Sequence, residues 1–281
     1  MLYLHNIINS FWCLKPEAVD AYMPLVLAYM KGNKIDMPKQ EKKMGVQLHS
    51  QAVPFIADEY HLPKNVTQDS IAIIPIEGVI TKHDQFCGPL GMATQSNLLK
   101  QCYANDKIKN VVIFLETCGG EAYASLLMRD TINMRNKPVL AFVSDYCHSG
   151  GVMISTSCDY TVANSNIALF GSIGTMNTIY DYREKLKKEG IDIKDFYATA
   201  SKDKNSVYRD AVDGKPEELI KQLDIFNEEF LSGVEKGRGA KLKKDRSVWG
   251  TGKEYFAKEA LELGLIDEIS SFDNVLDNFL T

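Results

Sequence analysis

Apolar residues along this chain fall into short unbroken runs, separated by stretches in which they recur every three or four positions. SIAIIPIEGVI (70–80), NVVIFLET (110–117) and PVLAFVSD (138–145) are nearly all apolar, the pattern of strands buried on both faces. ATQSNLLKQCYAND (93–106) and EAYASLLMRDTINMR (121–135) carry helical spacing between them. VMISTSC (152–158) reads as a short helix and YTVAN (160–164) as a returning strand. This rhythm predicts an α/β fold with a largely parallel sheet and right-handed crossovers. Farther on, TIYDYREKLKKEG (178–190) predicts a helix stopped by Gly190, and DIKDFYATAS (192–201) a strand. KPEELIKQLDIFNEEFLSGVEKGRG (215–239) predicts a long amphipathic helix with Leu219, Leu223, Phe226 and Phe230 on one stripe. KEYFAKEALELG (253–264) predicts a last helix, ended by Gly264.

Residues 1–66 do not share this rhythm. A helix around Ala18–Met30, interrupted by Pro24, is followed by the polar, charged stretch GNKIDMPKQEKKMG (32–45). The expected organisation is an N-terminal helical or extended arm, or a removable pro-segment, over 1–66, and one catalytic domain over 67–281.

Composition changes little in this picture. Of 281 residues, 45% are hydrophobic and 25% charged, as in ordinary globular domains. The net charge of −5 carries no basic excess of the sort nucleic-acid binding uses. No apolar run approaches the roughly 18 residues of a membrane span, and the N-terminus lacks the basic start and apolar core of a secretory signal. A cytoplasmic protein with no nucleic-acid or membrane partner is expected. The six cysteines sit in apolar segments without a CxxC, so they read as reduced core residues rather than disulfides or metal ligands.

Candidate chemistry gathers where strands end, as ligand sites do in open α/β sheets. Thr117-Cys118-Gly119-Gly120 follows one buried strand, His148-Ser149-Gly150-Gly151 the next, and Gly171-Ser172-Ile173-Gly174 a third apolar run. A serine at a strand-to-helix turn exposes its hydroxyl for attack on a carbonyl. The N–H of Gly150, with that of Gly119 or Gly120, would hold the oxyanion. Alone, each motif also reads as a helix cap or a turn. The base is the open question. His148 adjoins Ser149, but neighbours on a strand point to opposite faces. A lysine serves if burial suppresses its charge, and the segment 200–205, AlaSerLysAspLysAsn, offers Lys202 and Lys204.

In this order the motifs resemble the signal peptide peptidase A (S49) family of serine peptidases, over roughly residues 70–270. AIIPIEGVI matches the family's opening strand. ThrCysGlyGly stands for its SPGG and CysHisSerGlyGly for its nucleophile motif. GSIG is intact, and Phe230, Val234 and Arg238-Gly239 match its long helix. The ending from Gly252 to Glu268 matches as well. The resemblance implies a ClpP/crotonase-like α/β fold of repeated ββα-type units with flanking helices. It implies a Ser–Lys dyad of Ser149 and Lys204, with Lys202 as alternative, and Ser172 bonded to the lysine. No metal or cofactor is implied, and a homo-oligomeric ring acting on protein substrates is. The lack of an N-terminal anchor, and the DKN context of Lys204, point to the phage branch that resembles prohead proteases of capsid and scaffold maturation. A crotonase-fold acyl-CoA enzyme and a non-catalytic assembly protein are the alternatives.

Overall fold

The structure, a computed structural model, describes residues 12–14, 45–49, 55–56, 61–63, 66–85 and 88–280. Its frame is three successive strand–helix–strand units. Strands β4 (Ser70–Ile80), β5 (Ile108–Glu121), β6 (Val139–His148) and β7 (Tyr160–Ala163) run parallel, with β4 beside β5, β5 beside β6 and β6 beside β7. The helices Met92–Ala104, Ala122–Asn133 and Gly150–Ser155 make the crossovers. Each buries the stripe that its spacing foretold, for instance Ala124, Ser125, Met128, Thr131 and Ile132 in the second. The fold is mixed α/β with a largely parallel sheet.

Short strands extend the sheet on both sides. β2 (Gln47–His49) and β3 (Phe55–Ile56) add antiparallel beyond β4, and β10 (Glu268–Ile269) adds parallel to β7. β8 (Leu169–Gly171) continues beside β6, and β9 (Glu254–Phe256) pairs with β8. β1 (Trp12–Leu14) pairs antiparallel with the far end of β5. Three strands of the expected N-terminal arm therefore join the sheet. The expected helix at 18–30 lies outside the described residues, as does the linker except for Gly45.

One core lies under the crossover helices and the long helix Glu217–Arg238. A smaller one covers the opposite face, where the C-terminal helix Phe272–Leu280 packs on β4, β5 and β6. There Phe272 meets Phe142 at 4.7 Å and Phe114 at 5.4 Å between ring centroids. Pro75 interrupts β4 without cost because β2 pairs no farther along than Ile73. Among the described residues β4 is an edge at Pro75, where a missing N–H breaks no ladder, and the Gln95 amide donates to its carbonyl at 2.7 Å.

Four expected elements are corrected. The segment 192–201 forms no strand: residues 191–198 have no regular structure, and Thr199–Ser201 is a 3₁₀ turn. Among the described residues its apolar alternation has no neighbouring strand to pair with and no core face to meet, and a lone strand does not hold. The helix expected at 178–190 is confined to Arg183–Lys188. The segment 253–264 opens as strand β9, because Glu254 and Tyr255 complete the ladder to Gly171 and Phe170. The helix starts only at Ala257, where the Glu259 carboxylate accepts from the Phe256 N–H. Finally, β5 does not stop at Thr117. It runs to Glu121, because β4 and β1 continue to pair with its two edges.

Candidate active site

Ser149 stands between β6 and the helix Gly150–Ser155, at φ 50° and ψ −114°. A residue with a Cβ held there stores about 1–3 kcal/mol of strain. Its N–H donates to Gly171 O at 2.8 Å, which pins the elbow to β8. Although Ser149 occupies the cap position of the helix, its side chain makes no capping bond. The hydroxyl donates instead to Gly174 O, at a long 3.4 Å. The bland reading of this serine as a helix cap is thus excluded by its geometry.

That bond brings two of the sequence motifs together. Ser149, Ser172 and Gly174 line one cavity of about 460 Å³, closed on another side by Leu223 and Asn227 of the long helix. Ser172 is itself at φ 54°. Its N–H donates to Lys253 O at 2.9 Å, and Gly252 N–H donates to Ile173 O at 3.0 Å. The Thr175 hydroxyl donates to Leu223 O at 2.9 Å, fastening the end of the loop to the long helix.

The third motif meets the elbow from β5. A Cβ built on Gly150 would lie 3.5 Å from Gly120 N and 2.3 Å from the Ser125 hydroxyl. The backbones of Gly120 and Gly150 are therefore neighbours, as a two-donor oxyanion site requires. The Thr117 hydroxyl donates to Gly78 O and accepts from Gly119 N–H. With that N–H engaged by Thr117, Gly119 fits the expected donor role less well than Gly120 or Gly150. A threonine thus braces the turn where the resembling motif carries a serine. Gly120 must be glycine, since a Cβ there would stand 1.9 Å from Ile80 O. If Gly120 holds an oxyanion in peptide cleavage, Gly120→Ala is expected to displace that donor and lower kcat/KM by about 10²-fold. Steady-state kinetics, with melting to confirm folding, check this.

His148 is buried and faces elsewhere. Its ring stacks on Tyr146 at 5.6 Å, and its Nε2 lies 3.9 Å from the Glu254 carboxylate. Lys202 and Lys204 are exposed and outside the cavity lining. They sit in the turn between Thr199–Ser201 and the helix Ser206–Val212. Arg209 donates to both of their carbonyls, at 3.1 and 3.0 Å, and stacks over Tyr197. The turn is well formed, but it belongs to an exposed arm, residues 176–215, whose Phe196 is 90% exposed.

Asn227 went unnoticed in the sequence. Its amide oxygen is buried beside the serines without a donor among the described residues. The signal was available, for Asn227 is a polar residue next to Phe226 and four positions from Leu223, on the otherwise apolar stripe. Of the cysteines, Cys102, Cys118, Cys147 and Cys158 are free thiols. Burial pushes Cys102 up to about 12 and Cys147 and Cys158 higher still, so none of these three is a nucleophile near neutral pH.

Comparison with known proteins gives the family. The family model described as Peptidase family S49 matches residues 131–279, more than half the chain. That span contains Ser149, Ser172 and both lysines. The chain is 29% identical over 231 residues to "Protease 4" of Haemophilus influenzae, covering 80% of this chain and 36% of that protein. It is 28% identical over 174 residues to "Probable protease SohB" of Buchnera aphidicola subsp. Acyrthosiphon pisum, covering 61% of this chain and 51% of that one. It thus spans about a third to a half of their lengths. Among solved structures it aligns with a ClpP1 mutant from Listeria monocytogenes at 12% identity and TM-score 0.45, covering 74% and 94% of the two chains. ThnE from S. clavuligerus aligns at 18% identity and TM-score 0.40, covering 76% and 79%. By the match over residues 131–279, the chain belongs to peptidase family S49.

Proposed function

We propose that this chain is a serine endopeptidase with Ser149 as nucleophile and a lysine from the 200–205 turn as general base. One observation carries the reading. The Ser149 hydroxyl is held at a strained elbow, does not cap its helix, and points into a cavity shared with Ser172 and Gly174. Family membership supports it. The hydroxyl attacks the peptide carbonyl as the amine takes its proton. The N–H groups of Gly120 and Gly150 hold the oxyanion. The lysine then hands the proton to the leaving amine and activates water to release the acyl-enzyme.

The exposed arm adds a condition to this reading. With Lys202 and Lys204 outside the cavity, and Ile191, Ile193 and Phe196 exposed on the same arm, the amine reaches a serine by arm closure or from a second copy in a homo-oligomeric ring. Lys204→Ala is expected to cost about 10²–10⁴-fold in kcat/KM, and Lys202→Ala little. The reverse order of effects would move the base to Lys202. Mixing Ser149→Ala with Lys204→Ala chains separates the two routes, since restored activity requires a dyad shared between copies.

The finer reading is a prohead protease that cuts capsid and scaffold proteins, supported by the DKN context of Lys204. Mass spectrometry of wild-type and Ser149→Ala chains, each incubated with a coexpressed capsid or scaffold protein, tests it. Fragments made only by the wild type support the assignment; an intact substrate beside a labelled Ser149 refutes it.

A further inference from the structure

The long central strands part company just before the elbow. β6 pairs with β5 as far as Cys147 opposite Thr117, then turns into Ser149. β5 goes on to Glu121, and β4 stays with it on the other side as far as Ile80 opposite Gly120. A strand has two edges, so β6 leaves one edge of Gly119–Glu121 vacant. The chain's own N-terminal strand fills that edge. Trp12, Cys13 and Leu14 lie antiparallel to it, opposite Glu121, Gly120 and Gly119 respectively.

This is the edge that a substrate needs. A peptide offering its carbonyl to Ser149 must bring that carbonyl to the N–H groups of Gly120 and Gly150, whose backbones are neighbours. An extended peptide binds beside such a strand by adding to it, its backbone supplying affinity and its alternate side chains specificity. Two strands cannot share one edge. β1 is only three residues long, so it makes few ladder bonds, each contributing modestly against water. Tethering on the same chain offsets this, because an attached competitor acts at a high effective concentration.

We propose that Trp12–Leu14 is a built-in competitor for the peptide-binding edge of β5, so that the chain's own N-terminal strand must leave Gly119–Glu121 before a substrate strand can enter. The proposal rests on Ser149 being the nucleophile, and its partner class is an unfolded or extended polypeptide. Its kinetic signature is a raised KM with unchanged kcat, since a displaced competitor takes no part in the chemistry.

The test uses the full chain with Cys13→Pro and, separately, Leu14→Pro. Backbone N–H groups alternate sides along a strand, so one of these two adjacent positions aims its N–H at β5, and proline there removes a ladder bond. Neither residue belongs to the proposed machinery of cleavage. Two probes are compared, a small fluorophosphonate without a peptide and a tripeptidyl diphenyl phosphonate that needs the strand edge. Wild type and both variants should label at Ser149 with the small probe at the same rate. The peptidyl probe should label one proline variant about five-fold faster than wild type, given the weak hold of so short a strand. Equal peptidyl rates beside normal small-probe labelling overturn the proposal and leave the nucleophile assignment standing. No small-probe labelling of the wild type overturns both. Should the variants misfold, hydrogen exchange on the wild-type chain answers the same question. Those amides of residues 12–14 that face β5 should exchange more slowly in the free chain than once the peptidyl phosphonate is attached; unchanged protection refutes the competition.

Discussion

Ser149→Ala is expected to abolish the proposed peptide cleavage, lowering kcat/KM by at least about 10³-fold, the scale on which removal of a serine nucleophile acts, while the chain should melt as the wild type does. The fold survives because the side chain carries one long bond, to Gly174 O, and caps nothing. The backbone conformation supplies a second, sharper expectation. At φ 50° and ψ −114°, any residue with a Cβ is strained, and glycine is not. Ser149→Gly should therefore be as inactive as Ser149→Ala yet more stable, by about 1 kcal/mol or more. A structural serine would show the opposite, with stability falling on substitution. Differential scanning calorimetry of the three chains, beside steady-state kinetics, decides. A Gly variant less stable than the Ala variant would remove the strain argument, and retained cleavage in either would remove Ser149 as nucleophile.

Arg238→Met is expected to be the most damaging substitution away from this site. Arg238 ends the long helix and donates to both carboxylate oxygens of Asp267, at 2.8 and 2.9 Å, and to Gly264 O at 2.8 Å. The side chains are 1% and 7% exposed. Removing one partner of such a pair leaves the other charge buried, at a cost of about 3–5 kcal/mol. Lys241, 2.8 Å from the same carboxylate, keeps the loss at the lower end. Melting should fall by about 10 °C, taking the usual scaling for a domain of this size. Activity of the chain that remains folded should be unchanged, because neither Arg238 nor Asp267 lines the cavity that holds Ser149 and Ser172.

The same carboxylate gives the stability a pH dependence of definite sign. Burial alone would raise the Asp267 carboxyl, but bonds from Arg238, Lys241 and the Thr161 N–H outweigh it and hold the group below its ordinary value. A depressed carboxylate stabilises the fold at pH above its unfolded value, near 3.9, and that contribution is lost as pH falls through the lower folded value. Acid should thus weaken the wild type more steeply than Asp267→Asn in this window. Urea titrations of the two chains at several pH values measure the difference.

The strands of the sheet's centre were legible because a parallel strand buried on two faces leaves a local signature, an unbroken apolar run. SIAIIPIEGVI, NVVIFLET and PVLAFVSD all form strands, and the helices between them bury the stripes their spacing foretold. The elbow was legible for a similar reason, as a serine followed by two glycines at the end of such a run tells of a sharp strand-to-helix turn. The segment 192–201 failed because alternation states only what a strand would bury, not whether a partner exists. Strand β9 was missed because three residues carry too little pattern, and their pairing with β8 comes from eighty-odd positions away.

Order along the chain thus carried the α/β class, the position of the proposed nucleophile and the set of motifs that marks the family. These depend on periodicity and on the chemistry of neighbouring residues, which any stretch of sequence displays. Three-dimensional pairing settled the rest: that β5 runs on past Gly120, that Trp12–Leu14 lie against it, that Thr117 holds Gly119, and that Lys202 and Lys204 stand on an exposed arm. Those outcomes depend on which distant segments win each edge and each surface. That competition is among long-range contacts, whose energies no local pattern records.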